Sequence, residues 1–176
     1  VLGPKRVQPG MKLLAIASSG FHSNGFSLLR KVFAADLDAW KDVLLKPTAL
    51  YVKLVHAALL EGGVESIAHI TGGGMDNVPR ALPKGTVARL NAWSVPAPFL
   101  EVKKRSGMSW LQMLTTLNCG LGMVWVVQPD KVAALKAVAG KMGFSAVEVG
   151  SVESARDTGA EAGWELADPT WEGLDL

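Results

Sequence analysis

The sequence predicts a β-sheet layered with α-helices, of α/β or α+β class. Three observations carry this. Short apolar runs such as "LLAIA" and "LGMVWVV" alternate with segments whose apolar residues recur at helical spacing. Glycine and proline punctuate the junctions, as in "LLEGG", "TGGG" and "VVQP". Hydrophobic residues make up 49% of the 176 residues and charged ones 19%, enough for a one-domain core and too little charge for wholesale disorder.

The elements follow in order. "MKLLAIAS" reads as a buried strand. The next helix places Phe26, Leu29, Val32 and Phe33 on one face, with Ser23 or Asn24 as its cap. "ADLDAWKDVLLKP" reads as a loop holding a short helical piece. Pro47 opens a helix with Leu50, Leu54, Ala57 and Ala58 in a stripe, and Gly62 and Gly63 stop it. "VESIAHI" is a strand that "TGGG" ends, "MDNVPRAL" a short helix, and "GTVARLN" a further strand. Gly107 separates two helices, "APFLEVKKRSG" and "SWLQMLTTLN". "GLGMVWVVQP" is the clearest buried strand, closed by Pro129. The amphipathic helix after it turns Val132, Leu135, Val138, Ala139 and Met142 inward, and "AVEVGSV" is the last strand. Residues 1–154 form the domain; residues 155–176 read as a loosely ordered tail that pins Trp164 and Trp171 to the surface.

Several function classes are disfavoured. A net charge of +2 is too small for a nucleic-acid face, though compatible with a small anionic ligand. No apolar run approaches the ~20 residues that span a bilayer, and "VLGPKRVQPG" carries no signal-peptide core. Cys119 is the lone cysteine, which excludes a disulfide within the chain and suggests a reducing, cytoplasmic setting. His22, His56 and His69 lack zinc spacing, so no metal site is expected. The chain opens at Val1 and reads as a fragment or one domain of something longer.

Three short stretches carry candidate chemistry. In "SSGFHSNG" a strand turns into a helix, whose N-terminal amides and dipole favour an anion. His22 and Asn24 add side-chain hydrogen bonds there, and histidine exchanges protons near neutral pH. A helix cap plus a tight turn accounts for the same residues. In "AHITGGGMDN" Thr71 is followed by Gly72, Gly73 and Gly74, costly to order and suited to close backbone approach by a phosphate; a hinge is the plain alternative. Neither a Walker loop nor a dinucleotide fingerprint is present. His69 sits inside the strand and reads as a core or near-core residue rather than a ligand. In "TTLNCGLGM" Asn118 suits a turn, and Cys119 reads as a small buried hydrophobe rather than a nucleophile.

Taken in order, "SSGFHSNGFSLLRKV", "KPTALYVK", "IAHITGGGMDNVPRALP" and "LNCGLGM" resemble the C-terminal domain of AIR synthase, the phosphoribosylformylglycinamidine cyclo-ligase of purine biosynthesis. The likeness runs from about Leu2 to about Val152. It implies an α+β fold, a mixed β-sheet layered with α-helices. It also implies a two-domain, homodimeric enzyme that uses ATP and Mg²⁺, held mainly by an N-terminal ATP-binding domain. Ring closure converts formylglycinamidine ribonucleotide to aminoimidazole ribonucleotide in the cleft between the domains. By the resemblance, His22 and Asn24 face that cleft, Thr71, Gly72, Gly73 and Gly74 receive a ribonucleotide phosphate, and Asn118 lies near the same cleft. The chain departs from the family at Gln112 and Thr115, where an acidic residue and an arginine are usual, and after Gly74, where Asp76 is the only acid in a shortened segment. Without the N-terminal ATP-binding domain, and with no acidic cluster to hold a metal-bound nucleotide, the isolated chain is expected to be inactive. The alternatives are a non-catalytic phosphate-binding or interaction domain, or another superfamily member such as FGAR amidotransferase or selenophosphate synthetase.

Overall fold

A computed structural model describes residues 2–168. The strands are β1 (Lys12–Ala17), β2 (Val64–His69), β3 (Thr86–Leu90), β4 (Leu121–Val127), β5 (Ala146–Ser154) and β6 (Gly163–Leu166). The helices are α1 (Phe26–Val32), α2 (Leu37–Leu44), α3 (Val52–Glu61), α4 (Ala97–Ser106), α5 (Trp110–Thr116) and α6 (Val132–Lys141). The strands form one sheet in the order β2-β4-β1-β5-β3-β6. Neighbours run antiparallel except β3 and β6, which are parallel. This is a mixed sheet of α+β class, as the resemblance implies.

Helices cover both faces of the sheet, which explains why β4, and β1 after Lys12, are apolar at every position. In β1, Leu13 and Ala15 pack with Leu29 of α1, Phe33 just after it, Phe99 of α4 and Met113 of α5. Leu14 and Ile16 point the other way, onto Leu54 and Ala58 of α3 and Leu135 and Ala139 of α6. β4 alternates in the same manner and is buried at all seven residues. Each fully buried leucine here contributes roughly 2 kcal/mol relative to exposure.

The structure departs from the sequence reading at several element ends. Leu50 precedes α3 and is 86% exposed; Tyr51 takes the N-cap position and buries its ring instead. Met142 has passed the end of α6 and is exposed. Periodicity places a residue on a helix face only while the helix lasts. α1 is not capped by Ser23 or Asn24: Gly25 stands at the N-cap in left-handed conformation. The Asn24 amide is engaged elsewhere, donating to the His22 carbonyl at 2.8 Å. The "MDNVPRAL" helix forms as a 3₁₀ helix, Gly74–Ala81.

Within the span read as a loose tail, Gly163–Leu166 forms a strand beside β3. Trp164 is tied down: its indole N–H donates to Asp76 Oδ1 at 2.7 Å, joining this strand to the 3₁₀ helix. Four residues with one tryptophan and one leucine show no periodicity of their own; β3 supplies the ladder. Trp171 lies outside the described residues.

On the α1 side, Arg105 of α4 makes a bidentate bond to Asp36 at 2.7 and 2.9 Å and a third to Glu101 at 2.6 Å. Its guanidinium lies over the rings of Phe33 and Trp40. This fork fastens the α1–α2 corner to α4.

Candidate functional site

The turn after β1 is held by its neighbour in the sheet. The Ser18 amide donates to the Gly120 carbonyl at 2.8 Å. Asn118, 1% exposed, spends its side chain on this junction. Its Nδ2 donates to the Gly20 carbonyl at 2.9 Å. Its Oδ1 accepts from the Gly120 amide at 2.9 Å and the Ser18 hydroxyl at 3.4 Å. Asn118 thus joins "LNCGLGM" to "SSGFHSNG" rather than to the glycine-rich loop.

His22 and Ser23 both hold positive φ, 55° and 57°. Each costs roughly 1–2 kcal/mol for a residue with a side chain, so the surroundings must enforce it. His22 is only 3% exposed. Its Nε2 accepts the Ser19 amide at 3.0 Å and stands 3.4 Å from the Tyr51 hydroxyl. That hydroxyl donates to the Ala17 carbonyl at 3.0 Å. With Nε2 accepting, the neutral ring carries its proton on Nδ1, which is buried with no partner. Burial, and then the neighbouring His69, push the His22 pKa from 6.5 down to about 4. The proton exchange near neutral pH expected of His22 is therefore not available to it: the ring is locked and uncharged.

Gly122 makes room for this arrangement. A Cβ there would lie 1.8 Å from the Tyr51 hydroxyl oxygen and 2.9 Å from His22 Cε1. Tyr51 and Gly122 escaped the sequence reading as site residues. The signals were present: a tyrosine in "KPTALYVK", and a glycine inside an apolar strand, which marks close approach. His69 also differs from expectation. It is the last residue of β2 and exposed, with its ring 6.3 Å from that of His22 and 6.0 Å from that of Tyr51.

In the glycine-rich loop the three glycines differ. Gly74 has φ 51°, and a Cβ would meet the Leu114 carbonyl oxygen at 2.0 Å. It is needed to seat the 3₁₀ helix against α5. Gly72 and Gly73 meet nothing closer than Asn24 Oδ1 at 3.6 Å and Asn77 Nδ2 at 3.8 Å. Asn77 donates to the Gly72 and Gly74 carbonyls at 3.3 and 2.7 Å, and its Oδ1 accepts from the Thr71 hydroxyl at 3.3 Å. The loop's carbonyls are thereby occupied, while the Gly72 and Gly73 amides have no bonded acceptor among the described residues. Asn24 beside Gly72 brings the first motif to the second.

Next to the first turn lies a cavity of about 620 Å³, walled by Ser18, Ser19, Lys46, Pro47, Pro96 and Phe99 among others. The Cys119 thiol is buried, and burial pushes its pKa up to about 12, so it stays a protonated core group. His56 is exposed on α3. Gln112 completes the capping box of α5, and Thr115 bonds carbonyls of its own helix.

The family described as AIR synthase related protein, C-terminal domain, matches residues 8–163. The chain belongs to this family. Among curated relatives of this AIR synthase related domain is the phosphoribosylformylglycinamidine cyclo-ligase of Bordetella petrii, 40% identical over 175 residues, covering 92% of the chain and 50% of the relative. The enzyme of the same name from Bordetella avium is 39% identical over 171 residues, covering 89% and 49%. The chain spans about half the length of the curated relatives it matches. Solved structures share the fold. The hydrogenase maturation protein HypE of E. coli superposes with a TM-score of 0.67 at 19% identity, over 97% of this chain and 50% of that one. Phosphoribosylformylglycinamidine synthase II of Thermotoga maritima gives 0.53 at 14%, over 89% and 25%. No helix among the described residues is long and apolar enough to cross a membrane.

Proposed function

We propose that this chain is the C-terminal half of an ATP-dependent cyclo-ligase that converts formylglycinamidine ribonucleotide to aminoimidazole ribonucleotide. The observation that carries the reading is that Asn24 Oδ1 lies 3.6 Å from where a Cβ on Gly72 would stand, beside two backbone amides that lack acceptors among the described residues. Adjacent free N–H groups at the start of a helical turn suit a phosphate oxygen. The relatives named as cyclo-ligases, at about 40% identity, support the reaction class.

In this reading Thr71, Gly72 and Gly73 seat a phosphate of the ribonucleotide, and Gly74 and Asn77 hold the loop in shape. Asn24 contacts the same ligand from the first turn, with His22 bracing that turn from behind. Asn118 positions the turn without touching the ligand. ATP supplies the phosphoryl group that activates the formamide oxygen for ring closure. Among the described residues no three His, Cys, Asp or Glu side chains converge. Mg²⁺ and most ATP contacts belong, in this reading, to an N-terminal domain. The complete enzyme is a cytoplasmic homodimer.

Gly72→Val tests the seat, because Gly72 needs no left-handed backbone and a Cβ there would meet only Asn24 Oδ1, at an ordinary contact distance of 3.6 Å. The variant should keep its melting temperature and lose binding of ribose 5-phosphate, measured by calorimetry on this chain. Unchanged binding in the folded variant refutes the seat. The chain alone, given ATP, Mg²⁺ and formylglycinamidine ribonucleotide, should not turn over; mixing it with the N-terminal half should restore product.

A further inference from the structure

We propose that the cavity beside the first turn binds a small aromatic carboxylate, with Lys46 as the residue that meets its charge. None of Thr71, Gly72, Gly73 and Gly74 lines this cavity, so the proposal does not rest on the phosphate seat. The cavity holds about 620 Å³, within the span of roughly 300–1,000 Å³ usual for small-molecule sites.

The walls come from separate elements, and each is tied to the next. One wall is the turn after β1, Ser18 to Gly20. Asn118 holds that turn through the Gly20 carbonyl, and His22 Nε2 holds it through the Ser19 amide. A second wall is the segment after α2, which carries Lys46 and Pro47. The Ser19 hydroxyl donates to the Pro47 carbonyl at 2.7 Å and fastens this segment to the turn. A third is the start of α4, with Pro96, Pro98 and Phe99. Pro96 lies so close over Gly120 that a Cβ on Gly120 would run into the proline ring, and the Gly120 carbonyl in turn accepts the Ser18 amide. The Phe21 ring supports Phe99 from behind, with centroids 4.7 Å apart. A pocket braced in this way needs little ordering when a ligand enters.

The lining selects the ligand. Pro47, Pro96, Pro98 and Phe99 present apolar surface that suits a flat aromatic ring. Lys46 brings the one positive charge on the lining. Its stem packs on the turn, with Cβ and Cδ at 3.8 and 3.9 Å from where a Cβ on Gly20 would stand. Its ammonium makes no ion pair among the described residues. An anchored stem with an unpaired head offers its charge to an incoming anion. Asp42 is the one acid on the lining. It repels a second negative charge, so a singly charged carboxylate is favoured over a doubly charged phosphate ester.

The test is an NMR titration of this chain with phenylacetate, followed at the Ser19 and Gly20 amides, the Phe99 ring, and the Gly72 and Gly73 amides. The Ser19, Gly20 and Phe99 signals should shift saturably with a midpoint of about 1 mM, the scale for a fragment of this size. The two loop amides should stay still. Phenylacetamide, the uncharged isostere, should bind about two- to fivefold more weakly, the worth of an exposed ion pair. Acetate, which lacks the ring, should leave Phe99 unmoved. Lys46→Met keeps a stem on Gly20 and removes the charge. It should bring phenylacetate down to the affinity of phenylacetamide with the melting temperature unchanged. Phenyl phosphate should bind the cavity no more tightly than phenylacetate. If phenylacetate moves none of the cavity signals, or only the loop amides, the site is overturned. Equal affinity for phenylacetamide, or full affinity in Lys46→Met, overturns the role of Lys46. Tighter binding of phenyl phosphate overturns the assignment to a carboxylate.

Discussion

Gly122→Ala probes the packing that holds His22. The added Cβ would sit 1.8 Å from the Tyr51 hydroxyl oxygen, 2.7 Å from its Cζ and 2.9 Å from His22 Cε1, where ordinary contacts begin at 3.4 Å. The tyrosine ring must withdraw by about 1.6 Å, the shortfall between 3.4 and 1.8 Å. Overpacking of this kind costs about 1–3 kcal/mol. Withdrawal also breaks the Tyr51 bond to the Ala17 carbonyl, worth about 1 kcal/mol. The sum, roughly 2–4 kcal/mol, lowers the melting temperature by about 5–15 °C for a domain of this size. Urea unfolding followed by tryptophan fluorescence measures it, since Trp125 lies in the same cluster as Tyr51. Tyr51→Phe removes the atom in closest conflict. The double variant should therefore be more stable than the two single costs predict, by about 1 kcal/mol. An alanine variant within about 0.5 kcal/mol of the parent, or strictly additive costs, would refute the account of how β4 admits the ring pair.

The same packing leads to two further outcomes. His22 has a folded pKa of about 4 against 6.5 unfolded, so between those values the unfolded chain binds the extra proton. Stability should be complete above pH 6.5 and decline as pH falls toward 4, by roughly 2–3 kcal/mol; His22→Gln, which keeps an acceptor for the Ser19 amide, should flatten that limb in urea midpoints taken across the range. Arg105→Ala should lower the melting temperature by releasing Asp36 and Glu101 together and uncovering Phe33 and Trp40, and Arg105→Lys should not restore it, because a single ammonium cannot reproduce the planar fork; a lysine variant matching the parent would count against this clamp.

Much of this molecule was legible in its residues. Local rules decide the strands and helices, and those rules are read from neighbours in sequence: "LLAIA" and "GLGMVWVV" are apolar throughout because both sheet faces are covered. The motif order "SSGFHSNG", "TGGG", "LNCGLGM" was enough to identify the family, because glycines and small polar residues at such turns answer to backbone geometry. What the sequence left open depends on residues far apart in the chain. The strand Gly163–Leu166 exists because β3 offers it a ladder. Asn118 clamps a turn about a hundred positions away. Gly74 is required by carbonyls of α5, while Gly72 and Gly73 are not crowded at all, a distinction three identical letters cannot carry. The two histidines show the limit most clearly. From the sequence, His22 stood in a polar turn and His69 in a strand, so the first looked open and the second buried. Packing reversed them: the turn folds under Tyr51, and β2 ends at the surface. Charge state follows solvent access, and solvent access is settled only when distant elements come together.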